Sequence, residues 1–167
     1  MMSTHNDRVL GVVTVSDVSI REAVAADTHD VTRLLIELGC SAESADVRRR
    51  IEQLQGGAVD RIFLAEVDGR VVGLLGIHIV PLLHREPLGR ITALVVTKAH
   101  RGRGIGRDLL VAAERWALEQ GCTQVELNSG DHHRPSHAFY HRTGYRIDDR
   151  RFIKEDDDLS IDDSQRS

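Results

Sequence analysis

Residues 94–106 read LVVTKAHRGRGIG, an apolar run that passes through a basic, glycine-rich turn into the start of an amphipathic helix. Glycine has no Cβ atom, so the backbone of such a turn can approach a ligand closely. The first amides of a helix have no partner within the helix and carry a partial positive charge. Three arginines in and just after the turn add full charges. We therefore predict a phosphate-binding loop with contacts from Arg101, Gly102, Arg103, Gly104, Ile105, Gly106 and Arg107.

The spacing within this loop excludes two common kinds of phosphate site. A P-loop requires Gly-Lys followed by Ser or Thr, and the chain has no such sequence. A dinucleotide-binding fingerprint requires a third glycine at the position that Leu109 occupies. The remaining alternative is that the glycines only shape the entrance to the helix and that no ligand binds.

The rest of the chain predicts one α/β (or α+β) domain with a single sheet flanked by helices. Asp68-Gly69 lies between two β-branched runs and predicts a tight hairpin. The helix after the loop lies between two apolar strands, which predicts a right-handed crossover and a parallel strand pair. The predicted elements are strand 18–23, helices 27–38 and 47–54, strands 61–67, 70–80 and 90–97, helix 104–120, strand 123–128, helix 134–142 and strand 145–154.

Composition narrows the function classes. The chain has 167 residues and a net charge of -4, which argues against a general affinity for nucleic acid or anionic lipid. No apolar run approaches the length of a membrane span, and two isolated cysteines favour a reducing compartment, so we expect a cytoplasmic protein. We expect a flexible N-terminal extension over 1–16, one domain over 17–154, and a disordered acidic tail over 155–167, which holds five aspartates.

Two motifs resemble one family. The pattern Arg101-x-x-Gly104-x-Gly106 after an apolar strand is similar to the acetyl-CoA pyrophosphate loop of the GNAT N-acetyltransferase superfamily. Downstream, NSG at 128–130, HAFY at 137–140 and GY at 144–145 resemble the second motif of that superfamily. The resemblance implies a mixed central sheet that splays between two parallel strands, with about four flanking helices. It also implies that acetyl-CoA is the donor and that the backbone of Leu94, Val95 and Val96 binds the pantetheine arm and polarises the thioester.

The resemblance also suggests how protons move during acetyl transfer. Tyr140 matches the family tyrosine that faces the sulfur atom, where a phenol can protonate the departing thiolate. Many relatives use a glutamate on the strand before the loop as a base, but residues 90–94 read RITAL and contain no carboxylate. Glu126 on the neighbouring strand is our first substitute, acting through water; a solvated outer face is the alternative for this residue. His84 and Glu86 follow as candidates, and no base is needed if the amine arrives neutral.

Other polar residues have weaker assignments. Asn128 lies at a strand end, where it either binds pantetheine or substrate or forms an Asn-Ser-Gly turn. His133, His137 and His141 recur every four residues, a spacing that can hold a metal ion. Proline is common in the first turn of a helix, so Pro135 predicts that the helix begins near it and that His133 lies outside the helix. The three histidines then do not share one helix face, and we expect no metal ion.

These observations predict an acetyl-CoA-dependent N-acetyltransferase that acts on a primary amine of a small molecule. The chain looks most similar to bacterial members such as the aminoglycoside 6'-N-acetyltransferase-like group. Two alternatives remain open: acetylation of protein amino termini or lysines, and an acyl-CoA-binding sensor module without activity. The expected partners are acetyl-CoA and a small amine, with a homodimer left open and with neither nucleic acid nor a membrane involved.

Overall fold

The computed structural model describes residues 18–128 and 134–147. The chain divides into two compact units, Met1–Asn128 and Ser129–Ser167, and each is described by itself. The predicted extension over 1–16 and the predicted acidic tail over 155–167 lie outside the described residues.

The first unit contains a five-stranded sheet in the order β1-β2-β3-β4-β5 within its described residues. The strands are β1 (Val18–Glu22), β2 (Asp60–Val67), β3 (Arg70–Val80), β4 (Leu88–Val96) and β5 (Gln124–Leu127). The first three pairs of neighbours are antiparallel, and β4 and β5 are parallel. The helices are α1 (Thr28–Leu38), α2 (Ser44–Leu54) and α3 (Ile105–Glu119), with α4 (Arg134–Arg142) in the second unit. The mixed sheet and its helices confirm the predicted fold class.

The element boundaries follow the sequence pattern closely, with three differences, one of which is that α2 begins at Ser44 and not at 47. The turn between β2 and β3 has positive φ at both Asp68 (51°) and Gly69 (72°), as a two-residue hairpin turn of type I′ requires. Strand β4 begins at Leu88, two residues before the predicted start at 90, because it pairs with β3 from Val80 onward. Of the predicted strand over 145–154, residues 145–147 have no regular secondary structure, and the remainder lies outside the described residues.

Helices α1 and α2 cover one face of the sheet, which we call the α1–α2 face. Their apolar residues Val31, Leu34, Val47 and Ile51 form one buried cluster with sheet residues that include Leu64, Leu74 and Val95. Burial of such side chains contributes about 25 cal/mol for each Å² of apolar surface removed from water. This cluster therefore holds the two helices over the part of the sheet where β3 begins and β4 ends.

Helix α3 covers the opposite face, which we call the α3 face. A Cβ atom at Gly89 of β4 would lie 3.1 Å from Ala117 Cβ of this helix, 3.2 Å from Ile77 Cδ1 and 3.4 Å from Val125 Cγ2. Glycine at this position therefore lets α3 approach the sheet closely. Trp116 of α3 is buried at this contact side of the helix.

Strands β4 and β5 separate after a short stretch of pairing. Their register runs from Leu88–Gln124 to Ile91–Leu127, whereas β4 continues to Val96. Between β3 and β4 the register passes from Ile77–Ile91 to Gly76–Ala93, which leaves Thr92 as an extra residue in β4. An extra residue of this kind is a β-bulge, which bends the strand and increases its twist. The predicted splay between the two parallel strands is thereby confirmed within the described residues.

No helix in the described part of the chain is long and apolar enough to cross a membrane. Cys40 and Cys122 are both free thiols.

Candidate coenzyme and acceptor site

The glycine-rich loop adopts backbone conformations that favour glycine. Gly102 has φ of 76°, and Gly104, which caps the N-terminus of α3, has φ of 83°. A Cβ atom at either position would have no heavy atom within 4 Å. The glycines are therefore required by the left-handed backbone and not by crowding, and the loop surface stays open.

The N-terminus of α3 presents free amides next to this loop. The first hydrogen bond of the helix runs from the Asp108 amide to the Gly104 carbonyl at 3.0 Å. The amides of Ile105, Gly106 and Arg107 precede that bond and have no acceptor within the helix. The side chain of Ile105 is almost fully buried, so it anchors the first turn while its backbone stays at the loop. This arrangement suits an anion.

The three arginines of the loop differ in their surroundings. Arg103 and Arg107 are exposed and make no ion pair within residues 18–128. Arg101 is engaged: its Nε donates to the Val96 carbonyl at 2.9 Å, and its Nη2 lies 3.5 Å from Glu37 Oε1. Arg101 therefore stabilises the loop against β4, and all three arginines stay predicted phosphate contacts.

The edge of β4 carries backbone groups beyond the point where β5 leaves it. The Thr97 amide donates to the Val72 carbonyl at 2.8 Å, which directs Thr97 toward β3. Backbone groups alternate in direction along a strand, so Val95 also faces β3, and Leu94 and Val96 face the opposite edge. The three predicted strand residues therefore differ. The backbone groups of Leu94 and Val96 point to the edge of β4 that is not paired with β5, whereas those of Val95 point to β3.

Four polar side chains form a row across the sheet at the level where β4 and β5 still pair. The register places Asp60 opposite His78, His78 opposite Arg90, and Arg90 opposite Glu126. Asp60 Oδ1 lies 2.7 Å from His78 Nδ1. Glu126 Oε1 accepts a hydrogen bond from Arg90 Nε at 2.7 Å and lies 2.6 Å from Arg90 Nη2. We call these four residues the polar row.

The polar row projects from the α1–α2 face. Gly89 and Ile77 are directed toward α3, and side chains alternate along a strand, so Arg90 and His78 point the other way. The row lies beyond the apolar cluster under the two helices, and its side chains keep exposed fractions of 24% to 41%. The sequence predicted Glu126 as a candidate base but not its partner Arg90, and it gave no signal for Asp60 and His78. Only the register of β2 with β3 brings together these two residues, which are 18 positions apart.

The remaining predicted residues of the first unit lie at its surface. Asn128 is exposed directly after β5, two residues from Glu126. His84 and Glu86 are exposed in the segment between β3 and β4 and make no hydrogen bond within the described residues.

Tyr140 lies on α4 in the second unit. Its ring packs edge-on against Phe139 (5.2 Å between centroids) and Tyr145 (5.9 Å). Burial raises the pKa of the Tyr140 phenol, which keeps it protonated at neutral pH. His137 and His141 occupy the same helix, and His133 lies outside the described residues. No group of three potential metal ligands occurs among the residues that the structure describes.

The fold and the loop together define a class: an α/β protein whose parallel strand pair opens beside a glycine-rich helix entrance. The model of the acetyltransferase (GNAT) family matches residues 29–145. The chain therefore belongs to the GNAT acetyltransferase family, which confirms the prediction of an N-acetyltransferase.

Individual relatives fall within the same family. The chain is 33% identical to an aminoalkylphosphonate N-acetyltransferase of Salmonella typhimurium, over 81% of this chain and 89% of the relative. It is 32% identical to a glucosamine 6-phosphate N-acetyltransferase of Trypanosoma brucei brucei, over 65% and 70%. It is 27% identical to an aminoglycoside N(6')-acetyltransferase of Stenotrophomonas maltophilia, over 79% and 88%.

Solved structures show the same fold. The aminoglycoside N-acetyltransferase AAC(6')-Iy in complex with CoA superposes with a TM-score of 0.78 and 19% identity, over 86% of this chain and 97% of that one. A putative acetyltransferase from Agrobacterium tumefaciens superposes with a TM-score of 0.74 and 27% identity, over 82% and 99%.

Proposed function

We propose that this protein transfers the acetyl group of acetyl-CoA to a primary amine of a small molecule. The observation that carries the proposal is the juxtaposition of free amides at the N-terminus of α3 with the edge of β4 that β5 has left. A phosphate-bearing coenzyme with a long thioester arm has the chemistry to use both features. A related fold has been solved in complex with CoA.

The coenzyme assignment divides the loop and the strand between two tasks. The amides of residues 105–107, together with Arg103 and Arg107, bind the diphosphate. The pantetheine arm runs back along the edge of β4 past Val96 and Leu94. The Leu94 amide then donates to the thioester carbonyl and stabilises the negative charge that develops on its oxygen.

The proton assignments follow the sequence prediction. Tyr140 donates a proton to the departing thiolate, since its phenol is protonated at neutral pH. Glu126 remains the sequence-based proposal for assisting deprotonation of the amine. Its Oε1 is bound by Arg90, so any proton would have to reach its other oxygen or pass through water.

The acceptor class is proposed from the relatives. Two of them carry names that combine an amine with a phosphonate or a phosphate, and a third acts on an aminoglycoside. The test is release of free thiol from acetyl-CoA with 2-aminoethylphosphonate, glucosamine 6-phosphate, an aminoglycoside and a short peptide with a free amino terminus. Turnover with one of the small amines supports the proposal, whereas turnover with the peptide alone would reassign the enzyme to protein acetylation.

The second candidate is an acyl-CoA-binding module without activity. The specific observation in its favour is that β4 carries no carboxylate at residues 90–94, where many relatives place the base. Calorimetric binding of acetyl-CoA separates the two candidates when it is read beside thiol release. A binding module saturates with acetyl-CoA and releases no thiol above the rate in buffer with any amine.

A further inference from the structure

We propose that His78, held by Asp60, accepts the proton that the acceptor ammonium loses before it attacks the thioester. This inference rests on the proposed function and adds a catalytic residue to it. A primary ammonium with a pKa near ~10.4 is almost entirely protonated at neutral pH, so the reaction needs a group that takes this proton.

The hydrogen bond with Asp60 determines which ring nitrogen is free. Asp60 Oδ1 lies 2.7 Å from His78 Nδ1, and a carboxylate only accepts hydrogen bonds. Nδ1 therefore carries the proton, and the neutral ring presents its lone pair at Nε2. An oriented neutral imidazole with a free Nε2 is the usual form of a histidine base.

The register of the sheet sets the distance between His78 and the proposed thioester site. His78 lies opposite Arg90, and the last β4–β5 pair, Ile91 with Leu127, is one residue farther along. Leu94, whose amide is proposed to bind the thioester carbonyl, pairs with Leu75, three residues from His78 on β3. Because one residue corresponds to ~3.3 Å, this separation is ~10 Å along the strand, and the proton passes from the ammonium to His78 through water.

His78 lies on the α1–α2 face, beyond the apolar cluster that the two helices cover. Helix α3 packs against β1 to β4 on the opposite face, so the proposal places the approach of the acceptor on the α1–α2 face. The side chain of His78 is 41% exposed there. This exposure lets water reach Nε2, carry the ammonium proton to it and afterwards remove it.

Charged side chains face His78 from both neighbouring strands. Asp60 Oδ1 on β2 lies 2.7 Å from its Nδ1. Arg90 on β4 lies on the other side, and its charge is balanced by Glu126 on β5 at 2.6 Å. Residues 55–59, which lead into β2, contain no charged side chain.

The proton and bond balance closes with two proton carriers. The ammonium gives one proton to His78 Nε2, and the free amine forms a C–N bond with the thioester carbon. The C–S bond then breaks, and the thiolate takes a proton from Tyr140. The amine nitrogen loses its second proton. Tyr140 is reprotonated by that nitrogen or by the solvent. The products are the N-acetyl amine, CoA as the free thiol, and one proton released by His78.

The decisive variant is His78→Asn. The asparagine amide can still donate to Asp60, but it has no nitrogen that titrates. We expect kcat/KM at pH 7 to fall by roughly 10²- to 10⁴-fold, with unchanged affinity for acetyl-CoA by calorimetry. The acidic limb of the plot of kcat/KM against pH should disappear. kcat/KM should then rise about tenfold per pH unit, because it follows only the fraction of free amine. His29→Asn, an exposed histidine on α1, is the matched control and should keep the wild-type profile.

A second variant keeps the proposal testable if His78→Asn does not fold. Asp60→Asn removes the carboxylate that fixes the tautomer and should lower kcat and shift the acidic limb while leaving the Kd for acetyl-CoA unchanged. Wild-type rate and pH profile in either folded variant would overturn the proposal, as would loss of the acidic limb in Glu126→Gln alone. If the wild type itself releases no thiol with any amine, the proposed function fails first, and that result is visible before any variant is made.

Discussion

Substitution of Gly104 by aspartate tests the coenzyme loop most directly. The position has φ of 83° and no heavy atom within 4 Å of an added Cβ, so the cost to the fold is backbone strain alone. For an L-residue this strain is about 1–2 kcal/mol, and aspartate tolerates the left-handed region better than most. A carboxylate at a helix N-terminus returns about 0.3–1 kcal/mol. We therefore expect the melting temperature to fall by only a few degrees.

The effect on coenzyme affinity should be larger. Two like charges ~4 Å apart repel by about 1 kcal/mol at the dielectric constant of water and about 4 kcal/mol at an effective value near 20. Since ~1.4 kcal/mol corresponds to tenfold, Gly104→Asp should weaken acetyl-CoA binding by between about fivefold and about 10³-fold. Added salt should reduce the loss, because the loop is exposed.

The assay is isothermal titration calorimetry of acetyl-CoA against the folded variants. Gly104→Asn has the same shape without the charge, so it isolates the electrostatic part. Gly121→Asp is the control at the other end of α3, where φ is 81° and an added Cβ likewise has no neighbour within 4 Å. If Gly104→Asp binds acetyl-CoA as tightly as Gly104→Asn and Gly121→Asp do, the phosphates do not lie on this loop.

Three further predictions concern the acid, an ion pair and the packing of α3. Tyr140→Phe should lower turnover by roughly 10²- to 10⁴-fold with unchanged calorimetric affinity for acetyl-CoA, and wild-type turnover would reduce Tyr140 to packing. Two hydrogen bonds from Arg21, both 2.8 Å, lower the pKa of the Asp27 carboxyl. The ionised carboxylate therefore stabilises the fold at pH values above its unfolded pKa of ~3.9. This stabilisation is lost as the pH falls through the lower pKa of the folded state. Asp27→Asn should therefore cost roughly 1–3 kcal/mol at pH 7 and flatten the acid side of the melting profile; an unchanged profile would contradict this. Gly89→Val should overpack the contact with α3, because an added Cβ lies 3.1 Å from Ala117 Cβ. We expect the free energy of unfolding in denaturant to fall by about 1–3 kcal/mol. An unaltered unfolding midpoint would show that α3 shifts without cost.

Local patterns in the sequence were sufficient for most of the elements and for the backbone conformation of the loop. Helix α1 ends at Gly39, and the β2–β3 turn forms at Asp68-Gly69. Both places need a positive φ, and whether a residue adopts a positive φ depends mainly on its own type. The amides of residues 105–107 are free because every helix leaves its first amides unpaired, whatever surrounds it. The family motifs rest on the same local chemistry, and the match of the family model over residues 29–145 confirms the predicted family.

Other features depend on pairing between distant segments, and only the tertiary structure decided them. The start of β4 at Leu88 follows from its partner Val80, and the orientation of Leu94 and Val96 follows from the register with β3. Arg101, predicted as a phosphate contact, also donates to the Val96 carbonyl, because the loop folds back on its own strand.

The polar row shows the same division most clearly. Nothing in the local sequence around Asp60 or His78 marks either residue as a partner of the other, or as a neighbour of Arg90. They meet because β2, β3, β4 and β5 align at one level and because alternate side chains share one face of a sheet. A shift of one residue in any register would send one of these side chains to the α3 face, so the row is a property of the register and not of the sequence pattern.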